Sequence, residues 1–248
     1  MGASLMAIYS IPQQLTGKLS INSKALSTFL LKNMTNKNQQ YMFVANHTSY
    51  IDPFVMLRVV KQPFVFVGKK ELVKIPLFGY IYKRAAIMVD RSSSKSRNGV
   101  YGRADKDLDK GYSVCIFPEK DYLDETNLLN PFKHGAFKIA VFNHFPVVPM
   151  LFLDCKRKQP WYTTHGYPGK LRVNVYPPIS TKGMTEKDVP KLLDKIYNFM
   201  ESELREDPER ASLKAINIWK RINQIVDFLN QTKKTEKAQL IEDYLSRQ

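Results

Sequence analysis

The chain has 248 residues, 44% hydrophobic and 25% charged, a globular profile with length for one full core and a helical appendage rather than two catalytic domains. Lysine and arginine outnumber aspartate and glutamate 38 to 23, and the formal charge of +15 attracts any polyanion, whether nucleic acid, anionic bilayer or phosphorylated substrate. A bilayer span is excluded, because no stretch approaches the roughly 20 apolar residues it needs: the best run, residues 5–11, is interrupted by Tyr9 and Ser10, ends at Pro12 and lacks the charged leader of a signal peptide.

Short apolar runs at residues 41–45, 63–67, 85–89, 113–117 and 147–153 alternate with longer amphipathic or polar stretches. That rhythm is the one buried strands make between helices, so the fold class is α/β. The only cysteines are Cys115 and Cys155; Cys115 falls inside an apolar run and reads as a buried, reduced thiol, which implies a reducing cytoplasmic compartment. Leu171, Val173 and Val175 alternate with Arg172, Asn174 and Tyr176, which predicts a strand near a sheet edge with one face in water. Thr185 and Asp188 predict a capping box ahead of a helix carrying Val189, Leu192, Leu193, Ile196, Met200 and Leu204 at spacings of three and four. A second helical stripe, Ile216, Trp219, Ile222, Val226 and Leu229, follows Pro208, and a charged segment from Thr235 ends the chain. This predicts a C-terminal helical extension.

The chemistry centres on His47, which follows the run ending at Ala45 and so should lie in the turn leaving a strand. A compact turn can fold Asp52, five positions on, back to one ring nitrogen, which would fix the other as a base. A hydroxyl deprotonated by such a base can attack a thioester directly, with no need for a protein nucleophile. Asp52 before Pro53 also reads as a helix N-cap with proline at the first helical position, and both readings can hold.

The His-x4-Asp pair is the first of four blocks. The second is Lys69-x-Glu71-Leu72 with Pro76 and Gly79, followed by Arg91; the third is Phe117-Pro118-Glu119; the fourth is Val148-Pro149. The segment from Pro131 to Lys138, with Lys133 and Gly135, stands between the last two. In order and spacing these blocks resemble the 1-acylglycerol-3-phosphate acyltransferase family over about residues 41–150.

The resemblance implies a central mixed sheet flanked by helices, with residues 1–40 a membrane-proximal segment, 41–207 the acyltransferase domain and 208–248 the helical extension. It implies His47 as general base and Asp52 as its orienting partner. Arg91 would bind the acceptor's phosphate through its planar fork of donors, and Glu119 the glycerol hydroxyl region, with Lys69 assisting at the phosphate. Without the other blocks, Arg91 reads as a solvated loop charge, Glu119 as a surface carboxylate after a turn, and Lys69 as part of a basic face. The donor would be acyl-ACP or acyl-CoA, the acceptor a lysophospholipid and the product phosphatidate, with no cofactor or metal, at the anionic cytoplasmic face of the cell membrane in peripheral or monotopic attachment.

The match departs in places. Lys120 stands where the family has glycine after Phe-Pro-Glu, so the second phosphate-binding group is not placed by motif, and Lys120 or Lys133 is the candidate substitute. Asp121, Asp124 and Glu125 point to a zwitterionic aminolipid acceptor as the second possibility. Ala86 replaces a frequent glycine. Only 46 residues precede His47, which implies weaker anchoring than in longer relatives or a missing native leader. Other classes find less support: Ser49 beside His47 lacks the G-x-S-x-G elbow of a serine hydrolase, the four histidines are too scattered for zinc, and no P-loop or dinucleotide fingerprint occurs. A basic nucleic-acid-binding module would account for the charge, but the cations are dispersed and no recognition motif is present.

Overall fold

A computed structural model describes residues 19–21, 39–69, 86–89, 109–119, 125–161 and 166–245. Among them, seven strands form one sheet: β1 (Leu19–Ile21), β2 (Met42–Ala45), β3 (Phe64–Lys69), β4 (Ala86–Val89), β5 (Ser113–Ile116), β6 (Val147–Phe152) and β7 (Leu171–Val175), in the spatial order β1-β7-β6-β2-β5-β3-β4. Every neighbouring pair is parallel except β6 and β7, so the sheet is mixed, as expected. Strands β2 to β6 run the same way and end on one edge, the place where open α/β sheets present their sites.

The strands read as continuous apolar runs because both faces are covered. Met42, Val44, Val114, Ile116, Val147 and Leu151 join the layer containing helices α2 (His134–Phe142) and α4 (Val189–Arg205) and the start of α5 (Ala211–Leu245). Phe43, Ala45, Cys115, Val148, Met150 and Phe152 face the other way, with Val55 and Met56 of α1 (Asp52–Val59). The six apolar residues that predicted α4 are all buried. Thr185 and Asp188 do form a capping box, around a 3-10 turn at Glu186–Asp188 that leads into α4. Helix α5 is continuous through the charged segment; its Ala211, Ala215 and Ile216 are buried, whereas Ile222, Val226 and Leu229 of the expected stripe are exposed.

Two expectations need correction. Strand β7 lies near the sheet edge but does not turn a face to water: β1 pairs with it from outside, and Arg172 is only 6% exposed. The guanidinium of Arg172 is gripped by Asp154, which begins the turn into α3 (Cys155–Lys158), and by Asp207, between α4 and α5. Polar residues alternating with apolar ones cannot tell a solvated charge from a compensated one. Asp52, for its part, is the first residue of α1 and not its N-cap, which is Ile51, because its carboxylate turns back into the preceding loop.

Candidate active site

His47 leaves the C-terminal end of β2 in a turn braced on three sides. Asn46, 1% exposed, is tied to the end of β6: its Nδ2 donates to the Phe152 carbonyl at 3.1 Å, and Phe152 N–H donates to its Oδ1 at 2.8 Å. Asp52, fully buried, brings Oδ2 to 3.0 Å from His47 Nδ1 and accepts Thr48 N–H at 2.6 Å and Ser49 N–H at 2.8 Å. From the opposite side, His47 N–H donates to Glu119 Oε1 at 2.6 Å. The Ser49 hydroxyl donates to the Gln159 carbonyl, so it is spent on structure.

The ring is held as firmly as the backbone. It stacks on Phe117 with centroids 4.2 Å apart and an interplanar angle of 15°, and Phe66 stacks on the far side of Phe117 at 6.3 Å. The His47 side chain is 17% exposed, so an edge reaches solvent. With the Nδ1 proton directed at Asp52, Nε2 carries the ring's lone pair, the tautomer a general base requires.

Glu119 is wholly buried, which sequence reasoning placed at the surface or against an acceptor. Its second oxygen, Oε2, accepts Asn130 N–H at 2.8 Å, so one carboxylate joins the loops after β2 and β5 to the segment before α2. Burial raises its pKa to about 7, although the N–H groups of His47 and Asn130 and the neighbouring imidazole pull it down. Cys155, also buried, lies next to Asp52; burial first, then that carboxylate, push its thiol well above the usual range.

The remaining candidates are placed unequally. Lys133 is exposed at the N-cap of α2, its N–H donating to the Pro118 carbonyl at 2.9 Å, so it stands beside the Phe117-Pro118-Glu119 unit. Lys69 closes β3 on the edge where His47 sits, but its side chain lies outside the described residues. Arg91 and Lys120 lie outside them altogether. Of the acidic run that pointed to an aminolipid, Glu125 is buried against Lys156 at 3.7 Å, which accounts for its charge internally; Asp121 and Asp124 are outside the described residues. Sequence reasoning missed the contributions of Asn46 and Asn130, both of which act through contacts across the sheet edge that no local pattern carries. Among the described residues, no group of three or more His, Cys, Asp and Glu side chains is placed to hold a metal.

A family model described as Acyltransferase matches residues 28–153. The chain is 32% identical over 174 residues to the 1-acyl-sn-glycerol-3-phosphate acyltransferase alpha of Mus musculus, covering 68% of this chain and 60% of that one. It is 29% identical over 177 residues to the 1-acyl-sn-glycerol-3-phosphate acyltransferase of Escherichia coli (strain K12), covering 70% and 71%. The fold is similar to the crystal structure of the 1-acyl-sn-glycerophosphate (LPA) acyltransferase from Thermotoga maritima, with a TM-score of 0.60 at 22% identity over 82% of this chain and 76% of that one. The chain thus spans about 60% of the length of the mouse relative. The matched span takes in the whole His47 turn and the elements that brace it, and the chain belongs to the acyltransferase family.

Proposed function

We propose that the chain moves a fatty acyl group from acyl-ACP or acyl-CoA to the free hydroxyl of 1-acyl-glycerol-3-phosphate, giving phosphatidate, while attached to an anionic cytoplasmic membrane face. The observation that carries this reading is the His47 Nδ1 to Asp52 Oδ2 contact of 3.0 Å in a turn whose backbone is fixed by Asp52 and Glu119. The names of the relatives support the acceptor. His47 Nε2 takes the acceptor's hydroxyl proton as the oxygen adds to the thioester carbonyl; the tetrahedral adduct then expels the thiolate, and Asp52 stabilises the imidazolium formed. Arg91, Lys69 and either Lys120 or Lys133 bind the acceptor phosphate, and Glu119 serves the acceptor side by holding the turn against which the glycerol is presented. Residues 41–207 carry this chemistry, with residues 1–40 membrane-proximal and 208–248 appended.

The test is transfer of labelled acyl chains from either donor to lysophosphatidate in mixed micelles. His47→Ala should lower kcat by about 10²- to 10⁴-fold and leave thermal unfolding nearly unchanged. Equal transfer by the native chain and the variant would remove His47 from the mechanism, and no transfer by the native chain to this acceptor would remove the acceptor.

A further inference from the structure

We infer that the exposed side of α5 is a docking surface for an anionic lipid bilayer. Ile218, Ile222, Ile225, Val226 and Leu229 share one side of this helix, and each is 43–59% exposed; Phe228, at 66%, stands beside them. Soluble monomers seldom keep so continuous an apolar band in water. Around it, residues 211–235 carry Lys214, Lys220, Arg221, Lys233 and Lys234 against the single carboxylate of Asp227. An apolar band with a cationic surround is the pattern of a helix lying in a bilayer interface.

The base of the band adds a second feature. Arg157, Lys214 and Arg221, with Tyr167, Asn217 and Ile218, line an open groove of about 360 Å³ that contains no carboxylate. Arg157 Nε is buried without a hydrogen-bond partner among the described residues. Three cations beside an apolar stripe suit a phosphate-bearing headgroup whose acyl chains lie along the stripe.

A second copy of the chain fits less well. The 4-3-4-3 spacing from Ala211 to Leu229 is that of a coiled-coil seam, but Thr232 and Glu236 end it. The positions flanking the seam hold Ser212, Trp219, Val226 and Phe228 with Lys214 and Arg221, so these cations meet no carboxylate there to pair with across a dimer. The band is therefore wider and shorter than a two-stranded seam requires.

This surface specifies the membrane contact proposed above and rests on that part of the reading alone, so vesicles without donor or acceptor test it apart from acyl transfer. The full chain should co-sediment with phosphatidylcholine vesicles containing phosphatidylglycerol, more weakly as salt rises and scarcely with phosphatidylcholine alone. Ile222→Glu with Leu229→Glu should lower partitioning roughly tenfold or more. Lys220→Glu with Arg221→Glu should do so by about tenfold. Both pairs are exposed, so thermal unfolding should be unchanged, and circular dichroism confirms that each variant folds. Undiminished partitioning in both variants would overturn the inference, as would failure of the native chain to sediment. Self-association of the native chain that Ile222→Glu with Leu229→Glu abolishes, without vesicle binding, would assign the face to a second copy and overturn it as well.

Discussion

Asp52 does two jobs with one oxygen: Oδ2 fixes the His47 ring and gathers the N–H groups of Thr48 and Ser49. Asparagine there keeps the volume but sets an amide N–H against donors if it turns the wrong way, and it cannot stabilise an imidazolium. Asp52→Asn should therefore lower kcat about 10²-fold or more with little change in KM, as steady-state kinetics would show. Glu119 makes a different prediction. Its folded-state pKa, raised to about 7 from 4.5, means that the native chain holds this proton more tightly than the unfolded chain does. Its contribution to stability is full below about 4.5 and is lost as pH rises through about 7. Urea unfolding between about pH 5 and about pH 8 should show that loss in the native chain and a flatter profile in Glu119→Gln. His47 and Asp52 were legible from spacing in a turn after an apolar run. The burial of Glu119 was not, because each of its oxygens accepts a backbone N–H, from His47 and from Asn130, a donor that nearly every sequence position offers alike.

At the scale of the element, apolar runs located strands β2 to β6 to within a residue or two of their ends, since strands covered on both faces are almost wholly apolar. Strand β1 was invisible: three residues are too few for a period, and its pairing with Leu171, Arg172 and Val173 is made across the chain. The end of α2 was also illegible. His144 takes φ 52°, with Phe145 N–H donating to the Ala140 carbonyl at 2.8 Å, a left-handed helix stop that usually calls for glycine. His144→Gly relieves the crowding of Cβ there at some cost in chain entropy, and should stabilise the fold by about 0.5–1 kcal/mol, read as a higher denaturation midpoint with an unchanged slope. Helix α5 shows the limit of periodicity: the helix is there, but its stripe is split, Ile216 buried and Ile222, Val226 and Leu229 exposed, because the same spacing describes a face turned to a core or away from one.

Across the whole molecule, Arg172 joins three parts of the chain. Its Nε and Nη2 meet Asp154 at 2.9 Å each, its Nη1 meets Asp207 Oδ1 at 2.6 Å, and Asp207 Oδ2 also accepts Ala211 N–H at 2.9 Å. Burial would raise the Asp207 carboxyl, but Arg172 and the N–H groups of Ala211 and Glu209 hold it below its ordinary 3.8. That contribution is present above the ordinary value and is lost as pH falls through the depressed one. Arg172→Ala leaves two buried carboxylates uncompensated and should cost about 3–5 kcal/mol, measured by urea unfolding at neutral pH. The clamp ties the sheet to the first turn of α5, where Ala211 and Ala215 are buried. Apolar spacing could announce an appended helix, but not that its root is set into the core through an ion pair whose members lie 35 positions apart.

The two buried cysteines give the protein a built-in clock. Cys115 lies in the interior strand β5, and Cys155 lies next to the Asp52 carboxylate at the start of α3. An alkylating reagent reaches either thiol only when the structure around it opens, so the two labelling rates report two different openings. A Cys155 rate far above that of Cys115 would mean that the floor of the His47 turn breathes while the sheet stays closed; equal rates would mean that site and sheet open only together.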